Sequence, residues 1–192
     1  SCSSAALTAL AITRTVADDG VDLRFEASHV GLAPLSADKV AYKVDLRSKK
    51  PVTIVEGETS PGADEPAGRT FEAHAAPAKD GKQTVRVTLG EGDAKDERTF
   101  TIHQRKKLFP RITALVKALA SLPASLPSGS RESFERDVTE MADAAAVGHP
   151  DESWITARIE GAEKLAEGLA RGEDPYRTKT GVVFRAYRSE LD

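Results

Sequence analysis

The chain has 192 residues, of which 40% are apolar and 30% are charged, a composition typical of a soluble globular protein. Its net charge of −3 argues against a nucleic-acid-binding protein, which needs a concentrated basic face. No stretch approaches the roughly 18 consecutive apolar residues of a membrane-spanning helix.

Residues 1–104 show the two-residue periodicity of strands that have one buried and one solvated face. The alternation predicts strands at 10–16, 21–27, 40–46, 52–55, 71–75, 85–89 and around 100–102. Turn sequences such as Asp18-Asp19-Gly20 and Asp80-Gly81 separate them, and the polar segment Gly57–Gly68 is predicted to be a mobile loop. About seven short strands over roughly 100 residues predict an antiparallel β-sandwich of the immunoglobulin or fibronectin III type.

Residues 105–174 change to helical spacing and predict three amphipathic helices, which form a small bundle or pack on a following domain. The first helix begins near Pro110 and buries one face, which consists of Ile112, Leu115, Val116 and Leu119. The second begins at a capping Ser130 and buries Phe134, Val138, Met141 and Ala145. The third begins at a capping Asp151 and buries Ile155, Ile159, Ala162, Leu165 and Leu169. The preceding basic run, Arg105-Lys106-Lys107, is interpreted as solvated charge at a domain junction. The fold class predicted is therefore α+β, with residues 175–192 forming a connection and a final strand.

No pattern of catalytic residues is visible in the sequence. It contains no Gly-x-Ser-x-Gly elbow, no glycine-rich phosphate loop and no paired histidines at zinc-binding spacing. We therefore predict no catalytic, cofactor-binding or metal-binding residue and no cofactor.

Several polar and aromatic residues have an ordinary structural interpretation. The four histidines lack metal-ligand spacing, although a cluster across the sheets remains the alternative; they are His29, His74, His103 and His149. Two acidic groups are interpreted as turn residues rather than calcium ligands, namely Asp18, Asp19 and Asp22, and Asp93, Asp96 and Glu97. Trp154, the single tryptophan, is interpreted as a packing residue of the third helix.

The single cysteine, Cys2, excludes an internal disulfide. Its setting, Ser1-Cys2-Ser3-Ser4, suits a bacterial lipoprotein cleaved just before Cys2, which would place the protein at the cell envelope with a lipid anchor. The alternative is an accidental cysteine at a frayed terminus.

Residues 181–192 read Gly-Val-Val-Phe-Arg-Ala-Tyr-Arg-Ser-Glu-Leu-Asp, a strand that runs into a turn, and Asp174-Pro175-Tyr176 precedes them. This segment resembles the lead-in to the catalytic domain of secreted bacterial α/β-hydrolases, the esterase, polyhydroxybutyrate depolymerase-like and prolyl oligopeptidase-like enzymes. The resemblance implies that a hydrolase domain follows Asp192 and holds the nucleophile, the acid and the catalytic histidine. It assigns no catalytic residue to the chain itself.

Two functional hypotheses follow. In the first, the chain is the non-catalytic accessory region of a secreted serine hydrolase and positions the following domain or holds substrate near it. In the second, it is a stand-alone binding or adhesion module of the cell envelope that contacts a polymer or protein through the Gly57–Gly68 loop. Both place the protein outside the cytoplasm, either secreted or in the periplasm or cell envelope, and neither predicts nucleic acid as a partner.

Overall fold

The computed structural model describes residues 9–28, 39–60, 68–92, 95–148 and 151–173. These residues form two antiparallel sheets and three helices, which is the predicted α+β class. The chain divides into a strand unit, residues 1–15 and 20–104, and a helical unit, residues 16–19 and 105–192.

The strand unit contains a three-stranded and a four-stranded sheet. The strands are β1 (Ala9–Ala17), β2 (Gly20–Ser28), β3 (Val40–Leu46), β4 (Val52–Thr59), β5 (Gly68–Ala75), β6 (Gly81–Leu89) and β7 (Asp96–Gln104). The first sheet has the order β1-β2-β5, and the second has the order β4-β3-β6-β7. Each predicted strand is present.

The apolar residues that alternate with polar ones along the strands form the core of the strand unit. Those of β2 and β6 are all buried, and they are Val21, Leu23, Phe25, Ala27, Val85, Val87 and Leu89. Aromatic rings from the two sheets meet among them: Phe71 of β5 stacks on Tyr42 of β3 at 4.5 Å, and Phe25 of β2 meets Phe100 of β7 edge-on at 5.9 Å. The inner faces of the two sheets therefore share one aromatic contact region.

Strand β4 is longer than the sequence predicts. The prediction ended it at Val55 and placed a loop from Gly57, whereas the strand continues to Thr59. Gly57 lies directly opposite Tyr42, and a Cβ at Gly57 would lie only 3.0 Å from the Tyr42 Oη. The glycine therefore accommodates an aromatic ring from the neighbouring strand instead of marking a loop. The rest of the predicted loop, residues 61–67, lies outside the described residues.

The helical unit contains α1 (Phe109–Ala120), α2 (Ser128–Ala145) and α3 (Glu152–Ala170). Pro110 lies in the first turn of α1, as predicted. The Asp151 cap of α3 is also confirmed, since its carboxylate accepts a hydrogen bond from the backbone N–H of Trp154 at 2.9 Å. The Ser130 cap is wrong: α2 begins at Ser128, so Ser130 lies within the first turn. Pro127, which has the fixed φ that a helix start tolerates, occupies the capping position instead.

Most of the predicted apolar positions of the helices are buried. The fully buried ones are Ile112, Leu115, Phe134, Val138, Met141, Ala145, Ile155, Ile159, Ala162 and Leu169. Leu119 and Leu165 are half-buried, and Val116 is 48% exposed, so its predicted place on the buried face is wrong. Val116 lies four residues after Ile112 and so on the same side of the helix, and helical spacing alone does not explain its exposure.

The basic run before α1 is not uniformly solvated. Arg105 is only 3% exposed, and its Nε donates to the Ala145 carbonyl at 2.9 Å while its Nη2 donates to the Val147 carbonyl at 3.2 Å. The last carbonyls of a helix have no partner within the helix, and the helix dipole makes them partly negative. Arg105 therefore closes the C-terminal end of α2, whereas Lys106 and Lys107 are exposed.

Several predictions fall outside the described residues. These concern Cys2, His29, Asp93, His149 and the final strand at residues 181–192. Among the described helices, none is long and apolar enough to cross a membrane.

Candidate functional site

An open groove of about 570 Å³ lies against the outer face of the β1-β2-β5 sheet. Its polar residues come from three neighbouring strands and are Thr13, Thr15, Asp22, Arg24, Glu72 and His74. Ile54 and Val55 of β4 add an apolar border. The polar side chains share one face because they occupy the outward phase of each strand, opposite to the residues of the core.

The pairing of β2 with β5 places polar side chains that hydrogen-bond each other side by side. Asp22 lies opposite His74 and Arg24 lies opposite Glu72. The His74 Nδ1 and the Asp22 Oδ1 are 2.6 Å apart, and the Arg24 Nη1 donates to the Glu72 Oε1 at 3.3 Å. Arg24 Nε also donates to Glu26 Oε1 at 3.1 Å. The groove floor therefore carries two cross-strand side-chain pairs, of which Arg24 and Glu72 form an ion pair.

The neighbouring carboxylates of Glu26 and Glu72 stabilise the charged form of Arg24. The hydrogen bond to Glu26, followed by the charges of Glu26 and Glu72, raises the pKa of Arg24 above its ordinary value. Beside this one arginine, the outward face of β2 and β5 carries three carboxylates, those of Asp22, Glu26 and Glu72. It is suited to a neutral or cationic ligand.

The ion pairs of the groove are accessible to solvent. The exposed fraction of the side chain is 49% for Arg24, 70% for Glu72 and 57% for Asp22. Exposed pairs of this kind contribute little to stability, because water competes for the same hydrogen bonds. Their donors and acceptors can therefore be exchanged for those of a ligand at small cost.

The other candidate residues are distributed over the two units. His74 lies on the three-stranded sheet and His103 on the four-stranded sheet, opposite Lys82. Asp18 accepts a hydrogen bond from Thr113 Oγ1. In contrast to Asp22, it does not line the groove. Within the ranges that the structure describes, no three His, Cys, Asp or Glu side chains are placed to hold a metal ion.

The remaining candidates also have local partners. Arg98 donates to Asp96 at 2.5 Å, and Lys95 lies 3.5 Å from Glu97. Trp154 is half-buried, and the guanidinium of Arg158 lies 5.2 Å from the centre of its ring. Asp96, Glu97 and Trp154 therefore each contact a residue close to them in the sequence.

Sequence reasoning missed both the groove and a buried carboxylate. Asp45 occupies an outward position of β3, yet it is only 2% exposed and accepts from Thr53 Oγ1 at 2.7 Å and from Arg86 Nη2 at 3.1 Å. The register of β3 against β4 shifts between Val44 and Asp45, a local irregularity that periodicity cannot indicate. The groove could have been suspected from the polar residues at the outward positions of residues 22–24 and 72–74.

Comparison with known proteins assigns no family. No family model matches the chain, and no curated protein matches it. A solved structure that is similar to part of it is a β-glucuronidase from Parabacteroides merdae, with 12% identity and a TM-score of 0.35 over 51% of this chain. The match spans only 13% of the β-glucuronidase chain, and a likeness this weak carries no argument about fold or activity.

Proposed function

We propose that the chain is a non-catalytic binding module whose contact surface is the groove on the outer face of the β1-β2-β5 sheet. The groove is the observation that carries this proposal, because it offers exchangeable donors and acceptors in a row on a rigid sheet. Its volume of about 570 Å³ is within the range of ligand pockets, but its floor is open and charged rather than enclosed and apolar. An open polar floor suits a segment of a hydrophilic polymer, such as an envelope polysaccharide.

The non-catalytic part of the proposal rests on the sequence. A hydrolase that acts through a nucleophile needs an activated Ser or Cys beside a base, and no nucleophile elbow occurs among the 192 residues. The threonine hydroxyls and carboxylates of the groove are the groups that hydrogen-bond sugar hydroxyls.

We infer further that the strand unit is an immunoglobulin-like sandwich of the fibronectin III type. Immunoglobulin constant domains arrange seven strands as A-B-E-D and C-F-G. The order β1-β2-β5 and β4-β3-β6-β7 results when the fourth strand pairs with the third instead of the fifth. The stacking of Phe71 on Tyr42 supports face-to-face packing of the two sheets. Many cell-surface domains share this architecture.

The larger protein in this proposal is a secreted serine hydrolase, because residues 174–192 resemble the lead-in to such a catalytic domain. The chain then has the role of an accessory region: binding at the groove raises the effective concentration of a polymeric substrate beside the catalytic domain. The protein is secreted or resides in the periplasm or cell envelope, where a lipid on Cys2 anchors it.

The groove is tested by co-sedimentation of the protein with purified peptidoglycan and by native electrophoresis in gels that contain soluble β-glucan. We expect Arg24→Gln to weaken binding about tenfold, since it removes a central charged donor. Arg98→Gln is the matched control, because Arg98 is a similarly exposed arginine with a carboxylate partner, but on β7. Equal binding by both variants, or no binding to either polymer, refutes the groove as a polymer site.

The hydrolase part is tested separately. We expect the coding region beyond Asp192 to encode a Gly-x-Ser-x-Gly motif, and we expect Arg24→Gln in that longer protein to reduce turnover of a polymeric ester. Turnover of p-nitrophenyl acetate, which needs no anchoring, should stay unchanged. A stop codon directly after Asp192 refutes the hydrolase part and leaves the groove proposal as that of a stand-alone module.

A further inference from the structure

Strand β1 forms an edge of its sheet. Among the described strands, it pairs only with β2, so its other side presents main-chain N–H and C=O groups. Natural edge strands are usually protected by proline or by several charges. The β1 sequence, Ala-Leu-Ala-Ile-Thr-Arg-Thr-Val-Ala, contains no proline and a single charged residue, Arg14. As far as the described residues show, this edge is therefore open to pairing with another extended chain.

The inward phase of β1 is incompletely covered. Leu10, Ile12 and Arg14 are each half-buried, whereas the corresponding residues of the central strand β2, such as Leu23 and Phe25, are buried. The other edge strand of this sheet, β5, buries its inward residues Phe71, Ala73 and Ala75, so the incomplete cover is specific to β1 within this sheet. An added strand would cover the remaining surface of the two apolar side chains.

Arg14 differs in its surroundings from Arg24 and Arg86, two other arginines of the strand unit. Its guanidinium lies 5.1 Å from the centre of the Phe100 ring, and its Nε is buried without a hydrogen-bond partner among the described residues. Arg24, by comparison, contacts two carboxylates, and Arg86 contacts Asp45. Partial burial without such a partner lowers the pKa of Arg14. A carboxylate brought to Arg14 would therefore meet a cation that is already partly desolvated.

We propose that the β1 edge binds an extended acidic peptide by strand addition, with a glutamate of the peptide paired to Arg14. Main-chain hydrogen bonds provide the affinity, and the side chains on one face of the peptide provide the specificity. Residues two apart share a face, so an antiparallel peptide reads Glu-x-apolar-x-apolar opposite Arg14, Ile12 and Leu10. This site is independent of the groove, whose charged residues point to the other face of the sheet.

The probe is the fluorescein-labelled peptide Thr-Glu-Thr-Val-Thr-Val-Thr, together with versions in which Gln or Lys replaces Glu. Binding to the full chain is measured by fluorescence anisotropy. We expect the Glu peptide to bind about tenfold more tightly than the Gln peptide, as one charge-assisted pair allows. Arg14→Gln should abolish this difference. Arg98→Gln, which changes an exposed arginine on β7 of the other sheet, should preserve it.

Hydrogen exchange of the β1 amides provides a second measurement. We expect the Glu peptide to slow exchange on alternate residues of β1, where N–H groups point away from β2. Binding without this protection refutes strand addition, and equal binding of the Glu and Lys peptides refutes the role of Arg14. Absence of saturable binding up to millimolar peptide refutes the site. A dimer in sedimentation that the peptide does not dissociate makes a second copy of the chain the occupant and overturns the proposal. Circular dichroism checks that Arg14→Gln folds.

Discussion

Replacing Arg105 with Met tests whether this residue stabilises the helical unit. Met retains an unbranched apolar chain like the stem of arginine but lacks the guanidinium that donates to the carbonyls of Ala145 and Val147. Hydrogen bonds that involve a charged group contribute about 1.5–3 kcal/mol each. Removing the guanidinium also relieves the cost of burying its charge, which offsets part of this loss. We therefore expect the free energy of unfolding to fall by about 2–4 kcal/mol.

The assay is urea unfolding followed by tryptophan fluorescence and by circular dichroism. Trp154 is the single tryptophan and lies in α3, so its fluorescence reports on the helical unit. Lys107→Met is the matched control, since it removes the same charge from an exposed position of the same basic run. Arg105→Lys should fall between the wild type and Arg105→Met, because an ammonium on a different stem cannot reproduce the planar fork of donors. An Arg105→Met variant that is no less stable than Lys107→Met would refute the reasoning.

Three further substitutions have defined outcomes. Gly20→Ala should lower the free energy of unfolding by about 1–3 kcal/mol or more, because the new Cβ would lie 2.3 Å from the Ala75 carbonyl oxygen in a backbone with φ of +153°. Asp151→Ala should cost about 1 kcal/mol, since it removes the side-chain cap of α3. Asp143→Asn should raise the melting temperature at pH 7, because burial and then the charge of Glu140 raise the pKa of Asp143 and so disfavour its ionised form. As the folded-state pKa is the higher one, the wild type gains stability when the pH falls through it, and the advantage of the variant should disappear in acid.

Denaturant and thermal unfolding measure all three, and each has an outcome that contradicts it. Wild-type stability of Gly20→Ala would mean that β2 and β5 separate there without cost. An Asp151→Ala variant as stable as the wild type would show that the cap contributes nothing. An advantage of Asp143→Asn that persists at pH 3 would assign its effect to helix propensity rather than to charge.

The strands and helices could be predicted because their burial is periodic. Val21, Leu23 and Phe25 alternate with charged residues, and this alternation is all that a strand with one buried face requires. The extension of β4 could not be predicted, because Gly57 is accommodated by Tyr42, a residue of another strand. The burial of Arg105 was missed for a similar reason: its partners are carbonyls at the end of α2, about 40 residues later in the chain.

The groove shows a further limit of local patterns. The outward positions of Asp22 and His74 follow from alternation, but their pairing depends on β2 lying beside β5. Strands β3 and β4 come between them in the sequence and belong to the other sheet. The packing of the whole strand unit determines which strands lie side by side. The outward positions of Asp22 and His74 could therefore be predicted from the sequence, but the pairing that forms the groove could not.

Two outward-phase aspartates show why the groove, rather than the other sheet, is the better candidate for binding. Asp45 is buried, and its carboxylate is held by both Thr53 and Arg86, so a ligand would have to break these bonds and expose the residue. Asp22 is 57% exposed and pairs with a histidine that is itself 38% exposed. Removing one partner of a buried pair is costly, whereas an exposed pair is nearly neutral in free energy. The ion pair of Asp45 therefore stabilises β3 and its neighbours, and the pairs of β2 and β5 remain available to exchange with a ligand.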